Sequence, residues 1–456
     1  MKIAILGAGG VRTPLLVQAV LIRQARLGVD ELALMDTDAD RLELMRLIAM
    51  PEADALAAGL RITHTTRARE ALQDADFVIT TFRVGGIESR VIDERVPLAH
   101  GVLGQETTGP GGFAMAMRTL PVLLDYLRLM REVCPSAWLI NFANPAGLLT
   151  EALCGAGGWA RAVGICDAPS GMQRVAAAAL GTTPERVHMD YFGLNHLGWM
   201  RSLVHDGLDR VPRFISKLRE GAPLPSLPFD PSLVAELGLI PNEYLYYYYH
   251  AREAVANILR SEETRGEFLV RINGDLFTAL RAQAARGATA EMVAAYGAYM
   301  RQRGHTYMAS ETGHDDWLAN ADPAVAEALA AEGYAGVALN LMEALRGRTP
   351  RVMVLNIPNA GAIHGMGTRD VVEIPTVVSA DFIRPLSVGE IPAHCLGLML
   401  QVKAYEQHTI RAVLEHSSTL AVSALAIHPL VGDVRLARVL VDEYRQRHGA
   451  LFPALE

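Results

Sequence analysis

Residues 2–20 read KIAILGAGGVRTPLLVQAV, and their pattern decides the fold. An apolar run meets a glycine cluster, and a helix-forming stretch follows at once. The segment therefore reads as strand, glycine turn and helix. Gly7, Gly9 and Gly10, with Val11 beside them, permit a tight turn and close approach of the backbone to a pyrophosphate. A helix starting near Thr13–Pro14 would aim its free N–H groups and positive dipole end at the phosphates. The next strand, ELALMD (31–36), ends in Asp36, placed to accept hydrogen bonds from an adenosine ribose. The GxGxxG fingerprint is incomplete: Arg12 stands at its third glycine. Asp36 also lies further on than the usual ~20 residues, because the first helix is long. An ordinary strand–helix turn shares part of this pattern. The triplet, its place at the start of the chain and Asp36 together predict NAD binding.

Working outward, three more parallel strands are expected at DFVITTF (76–82), AWLINF (137–142) and ARAVGIC (160–166). Each ends in something unusual: Arg83-Val-Gly-Gly, Ala143-Asn144-Pro145 and Cys166-Asp167. Ligands of open α/β sheets sit outside the carboxyl ends of the strands, so three polar strand ends point at one crevice. Arg83 is thereby a candidate cofactor contact. GVLGQETTGPGGFAMAMRT (101–119), with Glu106 inside, is either a functional loop beside the cofactor or a solvent loop before a helix.

Bulk properties narrow the class. The 456 residues are 50% hydrophobic and 20% charged, enough apolar material for a full core in two or three domains. The net charge of −8 makes nucleic acid and anionic membranes poor partners, so a small anionic ligand would need a local arginine cluster. Four cysteines without a CxxC fit a reducing cytoplasm. The apolar N-terminus reads as a first strand and not a signal peptide, and no apolar run reaches membrane-spanning length.

Chemistry concentrates in three segments. VGICDAPSG (163–171) holds Cys166 and Asp167, either a buried thiol beside a helix cap or a metal ligand beside an acid. DYFGLNHLGW (190–199) holds His196, either a satisfied structural histidine or a second ligand. Thiolate and imidazole, with sugar hydroxyls and water, could hold a transition metal whose open positions receive substrate; a structural zinc site would need four protein ligands. PNEYLYYYYHAREAVANIL (241–259) reads as a helix capped by Asn242, with Tyr244 in its first turn, where the dipole favours phenolate. Packing alone accounts for Tyr246 to Tyr249.

These segments, with FRVGG (82–86), IDERVPLAHGVLGQETTGPGG (92–112), NFANPAG (141–147), VVEIPTVV (371–378), VKAYE (402–406) and HPLV (428–431), resemble glycoside hydrolase family 4 along nearly the whole chain. Members are NAD- and divalent-metal-dependent glycosidases, exceptions to two-carboxylate chemistry. The resemblance implies an α/β fold: an N-terminal Rossmann-type domain (1–166) and a C-terminal α/β substrate and metal domain (167–456), as in lactate and malate dehydrogenases. It implies Cys166 and His196 as ligands of Mn²⁺ or another divalent metal, Tyr244 as the base, Asp167 as the proton donor and Glu106 as the group that raises the tyrosine's basicity. Arg90, Asn144 and Arg265 are implied as substrate-binding residues, and a homodimer or homotetramer as the assembly.

The implied reaction oxidises C3 of the sugar, deprotonates C2 and eliminates the aglycone. GQETTGPGGF and NFANPAG resemble the 6-phospho-β-glucosidase group, whereas aspartate after the metal cysteine is usual in 6-phospho-α-glucosidases. RGHTYMASETG (303–313) departs at His305 and Thr306 from the β-type pattern, which leaves anomer preference and the 6-phosphate open; Arg265 and Arg303 are candidate phosphate partners. The alternatives are a 6-phospho-α-glucosidase, a glycosidase of unphosphorylated substrates, or a metal-independent NAD-dependent dehydrogenase. Helices are expected over 242–300, 323–346 and much of the last 60 residues, and second-domain strands at 353–359 and 370–378.

Overall fold

A computed structural model describes residues 1–56, 59–222, 224, 227–313 and 333–456. The strands are β1 (Lys2–Leu6), β2 (Glu31–Met35), β3 (Arg61–Thr65), β4 (Phe77–Thr80), β5 (Trp138–Asn141), β6 (Ala162–Gly164), β7 (Val187–Leu194), β8 (Leu197–His205), β9 (Leu208–Asp209), β10 (Ile240–Pro241), β11 (Arg351–Pro358), β12 (Val371–Val378) and β13 (Ile383–Pro385). The first six lie in the order β3-β2-β1-β4-β5-β6, all parallel. That is the doubly wound dinucleotide-binding order, whose crevice opens where the chain reverses direction between β1 and β4. Ile3, Ile5, Val78, Ile79, Leu139 and Ile140 are buried, as strands covered on both faces require.

The sheet does not stop at β6. β11 pairs antiparallel with β6 through Asn356 and Gly164, and β12 and β13 continue outward to give nine strands. The strands expected near 353–359 and 370–378 exist, but they extend the first sheet and do not form a separate one. β7, β8 and β10 make a second, antiparallel sheet, with β9 paired to β8. β7 and β8 form a hairpin whose turn is Asn195–His196, since Leu194 pairs with Leu197.

Helices fill 242–300 as expected, but the single helix read over 241–259 is broken: a 3-10 turn Glu243–Leu245 and helices Tyr246–Tyr249 and Ala251–Arg260 stand in its place, followed by helices Arg265–Ala284 and Thr289–His305. The run of tyrosines has no apolar period to sustain one long helix, and Thr264 restarts the chain with a capping box to Glu267. Of the helix expected at 323–346, Gly333–Arg346 is seen and residues 323–332 lie outside the described residues. C-terminal helices Ala393–Leu414, Ser418–Ile427 and Val434–His448 return to the first half of the chain. The last is fastened there by a fully buried group: Arg118 holds Asp93 through two 2.7 Å bonds, and His448 Nε2 lies 3.0 Å from Asp93 Oδ1. No helix among the described residues is long and apolar enough to cross a membrane.

Candidate active site

The carboxyl ends of β1 and β4 open into a cavity of about 2020 Å³. It exceeds the ~300–1,000 Å³ of a drug-sized site, which suits a dinucleotide together with a second ligand. Gly7, Gly9, Gly10, Val11, Asp36, Arg83, Arg90, Glu106, Asn144, Asp167, Tyr244 and Arg265 all line it. The glycine turn is tight for a stated reason. Gly7 has φ +99°, and a Cβ there would lie 2.6 Å from the Phe82 backbone nitrogen. Gly9 donates its N–H to Asp36 Oδ2 at 2.8 Å, so the carboxylate expected to face a ribose also braces the turn. The Val11 carbonyl accepts from the Tyr296 hydroxyl at 2.7 Å, which brings helix Thr289–His305 over the turn.

One side of the cavity is arginine-rich. Glu106 sits between Arg83, whose guanidinium it accepts, and Arg90 Nη1 at 2.9 Å. Burial alone would raise the Glu106 carboxyl, but the charges of Arg83, Arg90 and Arg303 hold it at about 2. Arg90 also donates to Glu94 at 2.6 Å, and Glu94 accepts from the Gly266 N–H at 2.7 Å, tying helix Gly86–Leu98 to the start of helix Arg265–Ala284. Arg265 donates to the Arg303 carbonyl at 2.6 Å and to the Thr306 carbonyl and hydroxyl. Burial, with the charges of Arg90 and Arg303 beside it, pushes Arg265 down to about 10. A cation destabilised by its cationic neighbours marks a place suited to an anion. Asn144 accepts from the Ala146 N–H at 3.3 Å and lines the same wall. The side chain of His305 lies outside the described part of the structure.

The other side is acidic. Cys166 and His196 are buried, 4% and 5% exposed, the first directly before the cavity-lining Asp167 and the second stacked on the cavity-lining Tyr244. Burial pushes the Cys166 thiol well above its usual range, and the nearby carboxylates of Glu373 and Asp167 add to it. Burial likewise raises Glu243 to about 7, with Asp167 and Glu373 contributing. Glu373 rises to about 7 by burial although Asn356, Asn195 and Tyr191 donate to it at 2.8, 3.2 and 3.0 Å. Asp167 begins helix Ala168–Ala179, yet its side chain does not cap that helix, so the capping explanation for its presence fails.

His196 occupies the hairpin tip with φ +63°, a conformation uncommon for a non-glycine residue and often found at functional sites. Its Nε2 is buried without a hydrogen-bond partner, while Nδ1 lies 2.9 Å from Thr107 Oγ1. Burial pushes the imidazole down to about 4 against the pull of Glu106, so it is neutral, as ligation requires. A soft thiol, a neutral imidazole with an orphaned nitrogen and a surrounding field of carboxylates fit a divalent transition cation. The described residues hold no group of three or more histidine, cysteine or acidic side chains that could bind a metal. The donor set therefore suits a site completed by ligand oxygens.

Tyr244 joins the two sides. Its ring stacks on His196 at 3.7 Å between centroids and 6° between planes. Asn242 caps its turn, accepting from the Tyr244 N–H at 2.9 Å, as expected. The expected helix dipole behind Tyr244 is absent, because the residue sits in the three-residue 3-10 turn and not at the head of a long helix. Its hydroxyl accepts instead from the Tyr307 hydroxyl at 2.7 Å. Sequence reasoning missed Tyr307, Thr107, Glu243 and Glu373. Tyr307 stood inside the variant RGHTYM stretch and Thr107 inside the GQETTGPGG motif, so both carried a usable signal. Glu373 carried only its place in a strand.

Strand order, glycine turn and crevice define a Rossmann-type enzyme, and the His196–Tyr244 stack stands at its crevice. Residues 2–182 match the family 4 glycosyl hydrolases, and residues 191–431 match the C-terminal domain of the same family. The chain belongs to the family 4 glycosyl hydrolases, which removes the dehydrogenase alternative. It is 29% identical to a 6-phospho-beta-glucosidase of Escherichia coli over 99% of this chain and 96% of that protein. It is 27% identical to a maltose-6'-phosphate glucosidase of Bacillus subtilis over 100% of this chain and 97% of the other. The solved structure of the 6-phospho-beta glucosidase from Thermotoga maritima with manganese, NAD+ and glucose-6-phosphate superposes with a TM-score of 0.82, at 27% identity and full coverage of both chains.

Proposed function

We propose that this glycosidase cleaves 6-phospho-glucosides, with β-glucosides preferred, by NAD-dependent oxidation at C3, deprotonation at C2 and elimination of the aglycone. The observation that carries the reading is the make-up of the cavity, whose lining residues include an arginine cluster around Glu106 and the acidic residues Asp167 and Glu243 beside Tyr244. A phosphorylated sugar has a dianion for the first and hydroxyls for the second. Residues 1–166 would supply the dinucleotide site through Gly7, Gly9, Gly10, Val11, Asp36 and Arg83, and residues 167–456 most of the substrate and metal chemistry. When bound, NAD would take up and return the C3 hydride, while a divalent cation such as Mn²⁺ at Cys166 and His196 would polarise the resulting carbonyl and acidify C2.

Around those groups the side chains have separate tasks. Tyr244 takes the C2 proton at its hydroxyl oxygen, a step in which general-base help is worth roughly 10²–10⁴-fold. Asp167 donates a proton to the leaving oxygen. Arg265 and Arg303 hold the phosphate through charge-assisted bonds. Arg90 and Asn144 position the sugar. Glu106, held ionised by its arginines, keeps Arg83 and Arg90 in place and sustains a negative field towards His196 and the tyrosine.

Asp167, the residue type usual after the metal cysteine in α-specific members, supports a second reading as a 6-phospho-α-glucosidase. A panel of α and β aryl glucosides, with and without 6-phosphate, assayed with NAD⁺ and Mn²⁺ under reducing conditions, separates the two. Turnover of unphosphorylated glucosides alone would overturn both. Product formed in deuterated water should carry deuterium at C2, and full retention of the C2 hydrogen would contradict the elimination route. A cytoplasmic location and a homodimer or homotetramer complete the reading; light scattering measures the latter.

A further inference from the structure

Gln105, Thr107 and His196 form a chain of hydrogen bonds that no step above uses. Gln105 Oε1 accepts from the backbone N–H groups of Thr107 at 2.6 Å and Thr108 at 2.7 Å. Backbone nitrogens can only donate, so the amide oxygen, and not its nitrogen, must face them. The same oxygen lies 3.0 Å from Thr107 Oγ1. A carbonyl oxygen has no proton to give, so this contact is a bond only when Thr107 turns its single hydroxyl proton to Gln105. Oγ1 then presents only lone pairs to His196 Nδ1, 2.9 Å away. A bond there requires the proton to be on Nδ1. The opposite tautomer would draw the hydroxyl proton to Nδ1, set Oγ1 against Gln105 Oε1 as two acceptors 3.0 Å apart, and leave a buried N–H without an acceptor at Nε2. An unmet buried donor is costly, and so is a lone-pair clash.

We infer that Thr107, oriented by Gln105, is a positioning residue that fixes His196 as its Nδ1–H tautomer and thereby presents Nε2 as the metal-binding lone pair. The inference rests on the metal reading of Cys166 and His196, and goes beyond it by assigning which imidazole nitrogen binds and what selects it. The hairpin tip fixes where the ring stands, and stacking on Tyr244 fixes its plane. Neither chooses between the two nitrogens. Only a hydrogen-bonding partner of fixed polarity does that. Thr107 and Thr108 lie immediately before helix Gly109–Val133, so the Gln105 side chain serves the loop and the ligand together.

The test uses the full chain with NAD and two variants, Thr107→Val and Thr107→Ser. Valine keeps the shape and removes the hydroxyl; serine keeps the hydroxyl. In metal-free protein with ¹⁵N-labelled histidine, the imidazole broadened by stoichiometric Mn²⁺ should show the Nδ1–H pattern in wild type and in Thr107→Ser. Observation of the Nε2–H tautomer in wild type would overturn the inference. Mn²⁺ affinity, read from the free-ion paramagnetic resonance signal, should fall roughly 10–100-fold in Thr107→Val, the usual effect of losing an outer-shell partner. Thr107→Ser should stay close to wild type. Unchanged affinity in a folded Thr107→Val would also overturn it. If the valine variant fails to fold, the wild-type tautomer still decides. If wild type binds no Mn²⁺, the metal reading fails, and a His196→Asn difference spectrum still identifies the resonance and its tautomer.

Discussion

The two sides of the cavity are built on opposite electrostatic plans. Around Glu106, cations outnumber the carboxylate they enclose: Arg83, Arg90 and Arg303 hold it at about 2, and Arg265 is depressed to about 10 by burial and then by its like-charged neighbours. Around Cys166, burial raises the acids and neighbouring carboxylates add to it: Glu243 and Glu373 stand at about 7, and the thiol lies higher still. Each side carries a charge imbalance of the sign its ligand would cancel. Such imbalances favour an anion near the arginines and a cation near the thiol.

The contrast should collapse most completely at Cys166. Cys166→Ser replaces a soft ligand with a poor one, and losing Lewis-acid help of several kcal/mol should lower kcat by roughly 10³-fold or more. Steady-state rates with saturating NAD⁺ and Mn²⁺ measure this, and a loss under tenfold would mean that the thiol is not a ligand. Next come two pH responses of opposite sign. Glu373 lies at about 7 in the fold against an ordinary 4.5, so the folded protein binds the extra proton in that interval and metal-free stability falls as pH rises from 4.5 to 7. Glu106 lies at about 2 against 4.5, so its contribution is present above 4.5 and is lost as pH falls towards 2. Each amounts to roughly 3 kcal/mol over its interval. Urea midpoints between pH 4 and 8 should show Glu373→Gln flattening the neutral decline. Glu106→Gln should be less stable at neutral pH, with the deficit narrowing only below about pH 4.5, so its midpoints are followed down towards pH 2. Responses of the same sign would remove the distinction between the sides.

Arg265→Met tests the cationic side by itself. It should raise KM for a 6-phosphorylated glucoside roughly 10–100-fold, the worth of a charge-assisted bond, and leave any unphosphorylated substrate unaffected. Equal effects on both would place Arg265 outside the phosphate site. The smallest change is expected at Tyr307→Phe, which deletes one neutral hydrogen bond to Tyr244. A fall in kcat of roughly 2–10-fold with KM intact is expected, and a change in KM alone would place Tyr307 in binding and not in orienting the base.

Much of the dinucleotide half was legible because its signals are local. Gly7 and Gly9 are demanded by backbone contacts a few ångströms away, and Asp36 by its position at a strand end. The thiol, imidazole and phenol could be named from short motifs and the family resemblance. Their environment could not. Thr107 and His196 are 89 positions apart, and Tyr244 and Tyr307 are 63 apart. Glu373 reaches Tyr191 from 182 positions away, and nothing in VVEIPTVV distinguishes a buried acid at the site from an outward-facing residue of an edge strand. The long helix drawn through Tyr244 failed because aromatic residues satisfy a helix and a packed turn equally well.

The sequence by itself determined the strand–turn–helix start and the parallel strands that follow it, since these depend on residue type and short-range spacing, and its motifs carried the family. Only the tertiary structure decided that β11 to β13 extend the first sheet, that the Asn195–His196 turn sets an imidazole against Tyr244, and that Arg83, Arg90, Arg265, Asp167 and Glu243 all line one cavity. Charge and hydrogen-bond polarity act through space, and the distances that set them exist only once remote segments of the chain have packed together.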